Sequence, residues 1–149
     1  KVMSKQKEFD FFNIAKKGQV NIPMFVDKVS AGFPSPATDY MENKLDLNEY
    51  LIKHPAATFI VKASGSSMVN ADIYSGDLLI IDRSITAKNN NIVIASIFGE
   101  LTVKKIIKKE KKIFLISANE NYPSIEVKEE MDCFVWGVVT YIIHEPITT

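Results

Sequence analysis

Three short pieces of this chain, in fixed order, carry the residue types for one reaction. They are Ala31-Gly32, Ser64-Gly65-Ser66-Ser67-Met68 and Thr102-Val103-Lys104-Lys105. Together they offer a peptide bond to cut, a serine to attack it and a lysine to activate the serine. A serine hydroxyl is a weak nucleophile until a base takes its proton. Histidine is the usual base, but His54 follows an expected helix and His144 lies near the end of the sequence. Neither has an obvious orienting carboxylate beside it. Lysine is the alternative. Its unperturbed pKa of about 10.4 keeps it charged, and burial lowers that value by stripping water from the ammonium. Lys104 and Lys105 both lie in an apolar run, Leu101 to Ile107. Strand alternation puts Lys104 on a face with Thr102 and Ile106, and Lys105 on a face with Leu101, Val103 and Ile107. On alternation alone, Lys105 is the more buried.

Ser67 follows an expected strand directly. Gly65 permits a tight turn, and Met68 to Ile73 could start a short helix. Backbone N–H groups at such a junction, those of Ser67 and Met68, suit an oxyanion. Because all three pieces fall within a single domain's length of chain, the reaction they suggest is self-cleavage.

The elements that must position these pieces divide unevenly. Residues 1–38 read as a flexible N-terminal arm, interrupted by Gly18, Pro23, Gly32, Pro34 and Pro36. Proline restricts the residue before it to extended backbone, so residues 31–36 are expected to be extended and exposed, as a protease requires of its substrate. Residues 39–149 read as the folded domain. Asp46 caps an expected helix carrying Leu47, Tyr50 and Leu51, which ends before Pro55. Six strands follow: residues 58–63, 77–82, 92–97, 100–107, 113–117 and 134–143. Phe98-Gly99 makes a tight hairpin turn between the third and fourth. The fold class is mainly β, with mostly antiparallel strands, short helices and an extended arm.

Composition narrows the function classes. The chain has 149 residues, 46% of them hydrophobic, enough for one domain with a real core. Lys+Arg and Asp+Glu are balanced at 18 each, which argues against a large phosphate-contacting surface. The basic stretch Lys104 to Lys112 reads as two strand ends and a turn. Cys133 is the single cysteine, read as a small hydrophobe, and with only His54 and His144 beside it no metal site is expected. No apolar run approaches the roughly 20 residues of a membrane span, and no signal peptide is visible, so a cytoplasmic protein is expected.

At this point the residues match a known pattern. The chain resembles the LexA/UmuD family of self-cleaving serine peptidases over about residues 23–143. The resemblance is carried by Gly32-Phe33-Pro34-Ser35-Pro36-Ala37, Val61-Lys62-Ala63-Ser64-Gly65, Ser67-Met68, Gly76-Asp77-Leu78-Leu79-Ile80, Ser84-Ile85-Thr86-Ala87 and Thr102-Val103-Lys104-Lys105. It implies Ser67 as nucleophile, Lys104 as general base (against the hint from alternation) and the Ala31–Gly32 bond as the cut site. It also implies a homodimer, stimulation by a RecA filament on single-stranded DNA, and a trimmed product that joins a UmuC-like Y-family polymerase for translesion synthesis in the SOS response. No cofactor, membrane contact or sequence-specific DNA binding is implied. Ser66, just before the nucleophile, is a departure from the family's usual residue and a decoy. The alternative is a LexA-like repressor whose DNA-binding domain lies outside this sequence.

Overall fold

The computed structural model describes residues 10–12, 18–24, 29–33 and 43–146. They fall within two compact units, one formed by Lys1–Ile14 with His54–Thr149 and the other by Ala15–Lys53.

The smaller unit holds a two-stranded ribbon and the single described α-helix. Strands β2 (Ile22–Met24) and β3 (Asn43–Leu45) pair antiparallel, with Pro23 opposite Lys44. Proline donates no hydrogen bond, so it fits this two-stranded ribbon better than an interior strand. Helix α1 (Leu47–Leu51) follows directly. Asp46 Oδ1 accepts the Asn48 N–H at 3.0 Å, the cap expected from the sequence.

The larger unit is an eight-stranded sheet among the described residues. Its strands are β1 (Asp10–Phe12), β4 (Thr58–Lys62), β5 (Leu78–Asp82), β6 (Ile92–Ile97), β7 (Glu100–Lys109), β8 (Lys112–Ile116), β9 (Ile125–Glu126) and β10 (Phe134–Ile143). The order across the sheet is β1-β4-β5-β10-β6-β7-β8-β9, and every pairing is antiparallel. All six expected strands are present. The short strands β1, β2, β3 and β9 were not expected, because two or three residues carry no readable alternation.

Two turns set the register around the site. Phe98 and Gly99 both take positive φ, 50° and 78°, the geometry that matches the twist of a two-residue hairpin. Glu110 and Lys111 do the same between β7 and β8, so the basic stretch is indeed two strand ends and a turn. Gly137 answers to a different demand. A Cβ there would stand 2.5 Å from Ile81 Cγ2, so glycine is what lets β10 press against β5 beside its bulge.

The core has two clusters, and β6 and β7 contribute to both. Ile94 and Val103 belong to one, with Val61, Met68 and Leu79. Val93, Ala95, Ile106 and Leu115 belong to the other. Thus β6 and β7 are covered on both faces, which matters for the lysine pair. Cys133 is half-buried against the second cluster. Burial pushes its thiol pKa up, and Asp132 adds to this, the behaviour of a packing residue rather than a reactive one.

Candidate active site

Ser67 lies where the β4 backbone pairing has just ended. Ala63 N–H still donates to Asp77 O at 2.8 Å, and Gly76 N–H donates back to Ala63 O at 2.8 Å. Gly65 then takes a φ of 87°, which side-chain-bearing residues seldom adopt. A Cβ at Gly65 would meet nothing within 4 Å, so glycine serves the backbone angle and not the space. After Ser67, a single 3-10 turn spans Val69–Ala71, with Ala71 N–H and Ile73 N–H donating to Met68 O. Asp72, in the left-handed region, ends it. The helix expected from Met68 is therefore one turn long. Met68 itself is buried in the first core cluster, which anchors the residue after Ser67.

The segment just beyond β8 ties this turn down. Asn70 N–H donates to Ala118 O at 2.7 Å, and Ala118 N–H donates to Met68 Sδ at 3.3 Å. Asn119 Nδ2 donates to Ser66 O at 2.8 Å. Ser67, half-buried, is thus carried on a turn held from two sides.

Lys104 is buried, at 7% exposure, and Lys105 is only half-buried. The expectation from alternation is corrected here. Lys104 pairs with Val93 across β6, and Val93 and Ile106 on its own face are buried. Because β7 is covered on both faces, its neighbours across strands decide burial, not the count of apolar residues along it. Lys104 Nζ donates to Thr102 Oγ1 at 2.8 Å and to Val103 O at 3.1 Å.

Ser67 and Lys104 line one cleft of about 660 Å³. Thr102 and Ser117 line it too, with Phe98, Leu101 and Tyr122 as apolar wall. Thr102, Ser117 and Asn119 were not singled out as site residues from the sequence. Thr102 was readable, since it shares a strand face with Lys104. Asn119 sits in a polar run, residues 119–121, that reads only as a loop.

The histidines belong elsewhere, though each has the carboxylate that the sequence seemed to lack. His54 Nδ1 lies 2.5 Å from Asp82 Oδ2, and His144 Nδ1 lies 2.7 Å from Asp77 Oδ1. Both aspartates come from β5 or its start, far away in sequence. Ser84 Oγ donates to Asp82 Oδ1 at 2.6 Å, so the carboxylate stands between serine and histidine. That order leaves the serine without a base. Burial works to raise the Asp82 carboxyl, but hydrogen bonds from Ser84 and His54, with the His54 charge, outweigh it and hold the group below its ordinary value. Neither histidine lines the Ser67 cleft.

In the smaller unit, Ala31 to Phe33 is exposed, with Val29 at 90% and Phe33 at 89%. The backbone bends there, and Ser30 Oγ accepts the Gly32 N–H at 3.3 Å. The expectation of exposure is met. The expectation of extended backbone is corrected, because a local side-chain bond turns the chain before the prolines act. Pro34 and Pro36 lie outside the described residues.

A serine on an anchored turn and a buried strand lysine, sharing a cleft, are the equipment of a Ser–Lys peptidase. The peptidase S24-like pattern matches residues 23–140, and the chain belongs to that family. It is a UmuD-like, self-cleaving serine peptidase of the SOS response with a role in mutagenesis. Among its relatives, protein MucA of Salmonella typhimurium is 38% identical over 93% of this chain and 96% of its own length. Protein SamA of the same species is 45% identical over 88% and 91%. The LexA repressor of Clostridium perfringens is 38% identical over 82% of this chain but 58% of its own length. Among the described residues, no helix is long and apolar enough to cross a membrane.

Proposed function

We propose that Ser67 cuts the Ala31–Gly32 bond with Lys104 as general base. The observation that carries this reading is the state of Lys104: buried, bonded to Thr102 Oγ1 and Val103 O, and open to the cleft that Ser67 lines. A neutral amine has two N–H donors and one lone pair. The threonine hydroxyl and the Val103 carbonyl accept N–H bonds from Lys104, and its lone pair is the acceptor for the Ser67 proton. Ser67 Oγ then attacks the Ala31 carbonyl carbon, and its proton passes to Lys104. The N–H groups of Ser67 and Met68 hold the oxyanion. The C–N bond breaks as Lys104 returns the proton to the Gly32 amine, and water hydrolyses the Ser67 ester.

The protein works as a homodimer in the cytoplasm. A RecA filament on single-stranded DNA favours the state in which the cut site occupies the cleft, a population shift rather than a gift of catalytic groups. The trimmed form, from Gly32 onward, serves as accessory subunit of a UmuC-like Y-family polymerase in translesion synthesis. Near-complete coverage of MucA and SamA supports this over the repressor reading. The test is intact mass after incubation near pH 10 without RecA, where an ordinary lysine, of pKa about 10.4, begins to lose its proton. Two fragments that meet between Ala31 and Gly32, absent in Ser67→Ala, are expected. An uncut wild type, also with RecA filaments added, overturns the reading.

A further inference from the structure

The turn between β6 and β7 holds a residue that its backbone does not favour. Phe98 takes a φ of 50°, in the left-handed region, and Gly99 follows at 78°. Both central residues of such a turn need positive φ, so asparagine, aspartate or glycine is the usual first residue. A bulky side chain there is an outlier, because its Cβ crowds the backbone. The ring gains no burial in return. At 66% exposure, Phe98 is the most exposed large hydrophobic residue described in the larger unit. Neither packing nor local geometry accounts for a phenylalanine here, and strain of this kind gathers at functional sites.

Its position gives a role. Phe98 lines the same cleft as Ser67 and Lys104, with Leu101 and Tyr122. Its backbone N–H donates to Met131 O at 3.1 Å, which ties the hairpin to the 3-10 turn Glu129–Met131. An exposed ring on a tethered turn is a preformed surface for an apolar side chain of whatever enters the cleft.

The segment to be cut offers two such side chains. Val29 is 90% exposed and Phe33 is 89% exposed, and each lies two residues from Ala31. Two residues of extended chain span about 7 Å. Leu101 and Lys104 are three residues apart on β7, about 10 Å, and Phe98 lies beyond Leu101, in the turn before the strand begins. From the cut bond, a phenylalanine reaches further toward that turn than a valine at the same spacing. A ring on a ring also gains the offset or edge-to-face contact that valine cannot make. We propose that Phe98 is a specificity-determining residue whose ring packs on Phe33 when the cut segment enters the cleft, so that the site selects an aromatic side chain just beyond the cut bond. The inference rests on Ser67 cutting the Ala31–Gly32 bond.

The test is the rate of RecA-independent self-cleavage, with melting temperature measured on the same samples. The variants are Phe98→Asn, Phe98→Tyr, Phe33→Ala, Val29→Ala and Phe98→Asn combined with each of the last two, with Ser67→Ala in parallel. Phe98→Asn should cut about tenfold more slowly, because a ring contact made only in the docked state is lost. It should melt no lower than wild type, since asparagine suits the left-handed backbone. Phe98→Tyr keeps the ring and should stay within about twofold of wild type. Phe33→Ala should lose about tenfold, and the double variant with Phe98→Asn should lose about the same tenfold, not the roughly hundredfold of independent effects. With Val29→Ala the losses should multiply. Wild-type cutting by Phe98→Asn, a fall in its melting temperature, multiplied losses with Phe33→Ala, or shared losses with Val29→Ala would each overturn the proposal. If wild type is cut between Ala31 and Gly32 and Ser67→Ala is inert while the Phe98 variants are unmoved, only this inference fails. If wild type is not cut there, the assignment of the reaction fails first and this inference with it.

Discussion

The segment around Gly32 and the turn around Ser67 are held in opposite ways. Ala31 to Phe33 is exposed, and its described side-chain bond is local, from Gly32 N–H to Ser30 Oγ. The Ser67 turn is fixed by Gly65, by buried Met68 and by three bonds to residues 118 and 119, about fifty positions away. A catalytic site gains by being fixed before its substrate arrives, whereas a cut site must leave one set of contacts for another. On the proposed assignment, control of the reaction rests with delivery of the Ala31–Gly32 bond and not with assembly of Ser67 and Lys104.

The strongest way to break this comparison is to remove the proposed dyad. Ser67→Ala and Lys104→Ala are each expected to slow alkaline self-cleavage by about 10⁴-fold or more, read by intact mass. Gly32→Asp should come next. A Cβ at Gly32 meets nothing within 4 Å where it now lies, so the substitution leaves that segment undisturbed. It should act when the bond enters the cleft, by crowding and added charge, with a loss of about 100-fold. Normal cutting of Gly32→Asp would remove the cut site from the cleft as proposed.

Asn119→Ala sharpens the other side. It frees Ser66 O from one of its anchors, and a loss of about tenfold in rate with little change in melting temperature is expected. Lys105→Ala and Ser66→Ala should stay within about threefold of wild type. A reversal between the two lysines would mean that the half-buried one is the base.

Asp82→Asn separates fold from chemistry. It should leave the cleavage rate unchanged while lowering stability near neutral pH by about 1–3 kcal/mol, because His54 and Ser84 lose a charged acceptor. The sign with pH follows from the lowered pKa. A carboxyl held below its ordinary value of 3.8 contributes stability that is present above that pH and is lost as pH falls through the folded value. The wild type should therefore lose its advantage over Asp82→Asn in acid, as measured by thermal melts from about pH 6 to 2.

Much of this was legible in the residues. The six longer strands follow from β-branched runs and turn residues, and the α1 cap follows from Asp46. Ser67 and Lys104, the proposed dyad, stand in short motifs. What the sequence hid was everything set by cross-strand register. The burial of Lys104 goes with Val93 across β6 and Ile106 on its own face, not with Leu101 or Ile107. The aspartate partners of His54 and His144 arrive from β5. Ser117 reads only as the end of a strand and Asn119 as a loop residue, until the fold puts Ser117 in the cleft with Lys104 and Asn119 Nδ2 on Ser66 O. The bend at Ala31 was hidden by a different cause, a serine side chain competing with the extended bias of the prolines.

The central claim is that buried Lys104 is the base. Its most direct test is the pH dependence of RecA-independent cleavage in Lys104→Ala and Lys105→Ala, side by side with wild type. The account predicts a rate that rises with a single deprotonation in wild type and Lys105→Ala, and no fragments in Lys104→Ala at any pH. Fragments from Lys104→Ala with the wild-type pH profile would contradict it.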